Sequence, residues 1–141
     1  YYRVQDYENS LWAAKRECAV AKELGILDDI SLIHQVNAYS QLDRRAEALD
    51  LMQEILESQS QMPPSRRSGG LLYDLLHDFC EEQDVPSAEK CVNLLKQTDA
   101  FPPKGRLCLS YAKYCKLMGR MDSCIHYCRM ALVPDDSICI Y

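Results

Sequence analysis

Ala38-Tyr39-Ser40-Gln41-Leu42-Asp43-Arg44-Arg45-Ala46-Glu47-Ala48-Leu49-Asp50-Leu51-Met52 decides the fold. It breaks a helical apolar pattern with a short polar turn and then resumes it. Beyond the turn, Leu49, Met52, Ile55 and Leu56 recur at the spacing that lines one face of an α-helix. The layout of helix, tight turn and second helix returns twice. Asp78-Phe79-Cys80 leads through Gln83-Asp84-Val85-Pro86 into Ala88-Glu89-Lys90-Cys91-Val92, and Lys113-Tyr114-Cys115-Lys116-Leu117-Met118 leads through Gly119-Arg120 into Met121-Asp122-Ser123-Cys124-Ile125. A small residue on the second helix marks the phase: Ala48, Ala88 and Cys124, with Ala14 offered by an opening helix. The steps are 34, 40 and 36 residues. The long step contains Ser65-Arg66-Arg67-Ser68-Gly69-Gly70, which reads as a loop insertion. Without it the period is about 35 residues, the size of a helical-repeat unit.

The other apolar rows agree. Leu72, Leu75, Leu76 and Phe79 share one helix face, as do Leu107, Tyr111, Tyr114 and Met118. No segment alternates strictly enough for a strand. Gly25 suits the end of the opening helix, Asp28 or Asp29 the cap of the next, and Pro86 a first helical turn. Pro63-Pro64, Pro102-Pro103 and Pro134 punctuate the joints, and Asp135-Asp136-Ser137 reads as the cap of a further helix. The expected fold is all-α: a right-handed α-solenoid of antiparallel helix-pair repeats. It forms one segment, with a half repeat over about 6–27 and repeats over about 29–62, 69–101 and 103–134, and is expected to belong to a longer protein. One such hairpin cannot bury its own apolar face, so neighbouring repeats of the same chain are expected to share a core.

Bulk properties narrow the function. The net charge of −5 leans against a general nucleic-acid surface, which is usually basic. No run approaches the roughly 20 apolar residues of a membrane helix, so a membrane is not an expected partner. Tyr1 to Glu8 lacks the basic start and apolar stretch of a secretory signal. The eight cysteines fall inside helical patterns, which suggests a reducing compartment and cysteine used as a small hydrophobe.

At this point the chain resembles the pentatricopeptide repeat family. Lys22-Glu23-Leu24-Gly25-Ile26-Leu27-Asp28-Asp29 looks like that family's repeat junction, Ala46 to Ile55 like its second helix, and Tyr114-Cys115-Lys116 with Gly119-Arg120 and Asp122 like its hairpin turn. The resemblance covers nearly the whole chain and includes degenerate animal members such as the leucine-rich mitochondrial type. It implies single-stranded RNA as a partner, read at roughly one base per repeat, and a setting in the mitochondrial matrix, with cytosol or nucleus as the alternatives. The family's early reader position falls here at Ile33 or His34, at Tyr73, and at Cys108 or Leu109, none of the expected polar type. Junction acids stand at Asp29 and Asp135, but Lys104 holds the third place. A base-by-base reader is therefore not expected. Residual contact with RNA backbone or an acidic partner is assigned to Arg44, Arg45, Arg66, Arg67, Lys104 and Arg106. The rival resemblance is to the tetratricopeptide family of protein adaptors. That family wants small residues where this chain has Val36, Leu76 and Ala112 on first helices and Ile55, Leu95 and Ala131 on second helices.

Enzymatic chemistry finds little support, and no cofactor is expected. Cys124 and Cys128 lie one helical turn apart, and Cys115 is able to face them. Cys108, however, lies seven residues from Cys115, about 10.5 Å along a helix, too far to share one zinc at a Zn–S distance of about 2.3 Å. His126 points away from Cys124, so no metal site is expected. His77 and Cys80 share a helix face, which a buried core explains without a catalytic pair. Gly69-Gly70 has no lysine after it and is not a phosphate loop. The expected function is non-enzymatic binding in RNA metabolism, through RNA backbone and/or a partner protein.

Overall fold

A computed structural model describes residues 2–26 and 29–132 of the chain. The described residues form seven α-helices and no strand: α1 (Tyr2–Glu23), α2 (Asp29–Gln41), α3 (Arg45–Gln61), α4 (Gly69–Glu81), α5 (Val85–Lys96), α6 (Leu107–Leu117) and α7 (Met121–Leu132). One 3-10 turn, Pro64–Arg66, precedes α4. Leu27, Asp28, Pro134, the Asp135–Ser137 cap and Cys139 lie outside the described residues.

The chain divides into two compact units, Tyr1–Ser58 and Gln59–Tyr141. In the first, α1 packs along α2. Leu11, Ala38, Tyr39 and Ala48 form a buried cluster flanked by Leu42 and Leu51. The hydroxyl of buried Ser31 donates to Glu17 Oε2 at 2.8 Å, satisfying a polar group that has no access to water. In the second unit, α4 packs on both α5 and α6, and α6 on α7. Leu72, Leu75, Leu76 and Phe79 have no exposed surface, as their helical spacing requires. Ser68 caps α4 by accepting from the Leu71 amide at 3.2 Å, and Asp84 caps α5 by accepting from the Ser87 amide at 3.3 Å. Pro86 lies in the first turn of α5.

The three hairpin turns share one backbone design. Asp43, Gln83 and Gly119 each take a left-handed conformation, with φ of 57°, 57° and 76°. In each turn the next amide donates to the carbonyl five residues back: Arg44 to Tyr39 at 2.8 Å, Asp84 to Phe79 at 3.0 Å, Arg120 to Cys115 at 2.8 Å. The amides of Ala48, Ala88 and Cys124 then donate to the carbonyls of Arg44, Asp84 and Arg120, starting the second helices. The same helix stop recurs at Gly25, φ 70°, where Ile26 N donates to Ala21 O at 2.8 Å. Ala48, Ala88 and Cys124 therefore sit at matching backbone positions.

Left-handed backbone strains any residue with a Cβ by roughly 1–2 kcal/mol, and glycine loses part of that advantage to chain entropy. Gln83→Gly is expected to stabilise the protein by about 0.5–1 kcal/mol, read as a higher urea midpoint. An unchanged or lower midpoint contradicts this account of the turn.

Two sequence expectations need correction. The stretch Ser65–Gly70 is not simply an inserted loop, because Gly69 and Gly70 open α4. Gly69 is small for a packing reason: a Cβ built there would lie 2.4 Å from the Ala100 Cβ. The cysteines also do not all serve the core. Cys80, Cys91, Cys108 and Cys115 are buried, but Cys18 and Cys124 are half-buried and Cys128 is exposed. No residue of α7 is fully buried: α6 covers the face of Cys124 and Tyr127 only in part.

Candidate interaction surfaces

The six basic residues singled out by sequence are divided between the two units. Arg44 and Arg45 belong to the first unit and are exposed at the α2–α3 turn. The Arg44 guanidinium donates to both carboxylate oxygens of Glu47, at 2.7 and 2.6 Å, and lies 4.9 Å from the centre of the Tyr39 ring. That hydrogen bonding holds the Glu47 carboxyl below its ordinary pKa. Arg67, in the second unit, is a brace. Its Nε donates to Gln59 O at 3.1 Å, and one terminal nitrogen donates to Leu94 O at 3.3 Å and Gln97 Oε1 at 2.7 Å. Buried Gln59 accepts in turn from the Ser68 amide at 2.9 Å. Sequence reading took Arg67 for a contact residue because a charge in sequence says nothing about which carbonyls it meets. Arg66, Lys104 and Arg106 are exposed.

At the reader positions, Tyr73 and Cys108 have no exposed surface, Ile33 is half-buried, and His34 and Leu109 are exposed. Tyr73 donates its hydroxyl to Ala100 O at 2.8 Å, and burial pushes its pKa up. The Cys108 thiol lies 3.4 Å from Pro103 O. Both side chains are committed to the interior.

A polar cluster joins α4 to α6. Lys113 contacts the Glu81 carboxylate, and its Nζ lies 3.4 Å from His77 Nε2. Burial, followed by the nearby Lys113 charge, lowers the His77 pKa. Burial and then the Asp74 carboxylate push the Asp78 carboxyl up to about 6. The neighbouring Cys80 thiol is pushed up to about 11 by burial, which keeps it protonated and poorly nucleophilic at neutral pH. The His77 ring turns to Lys113 and Glu81. Among the described residues, no group of three His, Cys, Asp or Glu side chains is placed to hold a metal ion.

No family model, curated protein or solved structure matches the chain. Its own surfaces therefore carry the functional reading.

An apolar concavity of about 650 Å³ in the first unit lies on α1 and the turn after it. Trp12, Val20, Leu24 and Ile26 line it, and Trp12 is 64% exposed. Arg16 stacks on the Trp12 ring, its guanidinium carbon 5.3 Å from the ring centre. The available sequence signal was that Trp12, Val20 and Leu24 run along α1 beside the row of Leu11 and Ala14, which is the row that α2 covers. No described helix is long and apolar enough to cross a membrane.

Proposed function

We propose that the chain is a non-enzymatic binding module of a protein in RNA metabolism, built as a right-handed α-solenoid, whose principal contact is a partner protein. The carrying observation is the exposed apolar groove on α1, because a contiguous apolar surface of this kind is characteristic of a protein-binding site. The three matching hairpin turns support the solenoid. The interior placement of Tyr73 and Cys108 speaks against base reading, since buried side chains have no route to a base edge. RNA contact is then limited to phosphates met by exposed Arg44, Arg45, Arg66, Lys104 and Arg106. RNA metabolism and a mitochondrial matrix setting follow from the pentatricopeptide resemblance. The tetratricopeptide-like adaptor is the second reading; the same groove favours it, and it differs in dispensing with RNA altogether.

The test is fluorescence anisotropy with several homopolymer RNAs at low and physiological salt. Weak binding without base preference, fading as salt rises, is expected from phosphate contacts alone. Tight, base-selective binding that survives physiological salt overturns the reading. No binding at any salt selects the adaptor.

A further inference from the structure

We infer that the α1 groove receives one α-helix of a partner protein, about three turns long, with an apolar stripe and a carboxylate aimed at Arg16. This rests on the partner-binding reading above and specifies the kind of partner.

The shape argues for a helix. Trp12, Arg16, Val20 and Leu24 recur every fourth residue and form one ridge along α1. The adjoining row, Ala13, Glu17 and Ala21, has alanine at both ends and leaves a shallow channel. A ridge beside a channel at this spacing is the surface into which a second helix interdigitates. From Trp12 to Leu24 the ridge spans about 18 Å, or about three helical turns. An extended peptide finds no strand edge to pair with among the described residues. A nucleic-acid base finds the Trp12 ring stacked with Arg16 and only one cation along the ridge.

The charges argue for a carboxylate. The two charged residues of the groove are Arg16 and Glu17. Glu17 already accepts from the Ser31 hydroxyl. Among the described residues, Arg16 meets the Trp12 ring and no carboxylate. An incoming acidic side chain would thus find a guanidinium held in place by the ring and free to donate, where the apolar surroundings strengthen the contact. A lysine in the same place would meet like charge.

Trp12 is the sole tryptophan of the chain, so its emission reports on the groove directly. The experiment uses the 141-residue chain and two synthetic helical peptides of about four turns. Each carries leucine at every third and fourth position, and they differ in having glutamate or lysine at the position facing Arg16. The glutamate peptide is expected to shift Trp12 emission to the blue and shield it from acrylamide. Arg16→Glu should weaken that peptide about tenfold and transfer preference to the lysine peptide; Val20→Lys should weaken both about tenfold. Arg16 and Val20 are exposed, so neither change disturbs the core. The inference is overturned if the peptides leave the emission unchanged, or if Val20→Lys binds as tightly as the parent. It is also overturned if Trp12 is already blue-shifted and shielded without peptide, whether at all dilutions, which means that the chain covers its own groove, or only as concentration rises, which means that a second copy does. A failed groove with weak, unselective RNA binding leaves the partner-protein reading standing on another surface, whereas tight, selective RNA binding removes that reading itself.

Discussion

Leu76→Ala is expected to destabilise the second unit by about 2–5 kcal/mol. Leu76 has no exposed surface and lies on α4, which packs on α5 and α6. Alanine would remove three carbons from a site enclosed on every side. The loss combines the transfer of those carbons with the cavity left behind, which close-packed helices fill only in part. The position also separates two packing styles. In the tetratricopeptide pattern a small residue lets the helices cross closely at this point. Here Leu76 and the equivalent Val36 fill the space, and both are buried. Urea unfolding of the variant checks the expectation. A loss below about 1 kcal/mol would mean that the helices close over the gap, as they would at a crossing built for alanine.

Gly69→Ala carries the next largest effect, a net loss of about 1–2 kcal/mol. Alanine is the better helix former by up to about 1 kcal/mol, so propensity alone favours the change. Sterics oppose it: the new methyl would lie 2.4 Å from the Ala100 Cβ. To make room, the start of α4 must move away from the turn after α5. Tyr73 holds that turn through its bond to Ala100 O, so a shift there also strains a buried hydrogen bond. Gly70→Ala is the control. A Cβ at Gly70 meets nothing within 4 Å, and this variant should be neutral or more stable. Thermal unfolding of the two variants side by side decides the matter; equal midpoints would remove the close approach as the reason for Gly69.

The helices were legible in the sequence because their signals are local. Apolar spacing in Leu72, Leu75, Leu76 and Phe79 names a buried face, and a polar turn beside a small residue names a hairpin. What escaped depends on neighbours distant in the chain. Gly69 looked like loop composition, since its reason is Ala100, 31 residues on. Arg67 looked like a surface charge, since its partners are carbonyl and amide oxygens at Gln59, Leu94 and Gln97. Cys124 has the spacing of a core residue and is only half-buried, because spacing shows that a face is apolar and not how fully it is covered. Trp12 is the same problem seen from the other side. An exposed apolar row and a buried one have the same period, and only the placement of α2 tells them apart.

Within the two units, the principal helix contacts join neighbours or next neighbours in the chain: α1 with α2 in the first, α4 with α5 and α6 and α6 with α7 in the second. Contacts of such short sequence separation give a low relative contact order, which favours rapid folding. They also grade stability along the chain. A helix packed on two neighbours opens only with them, whereas one packed on a single neighbour opens more readily. α7 buries no residue and has α6 as its principal contact, so its amides should exchange with solvent ahead of those of α4. Melting of the second unit then begins at α7 and reaches the leucine-lined face of α4 last, and the temperature at which it is seen depends on which helix the probe watches.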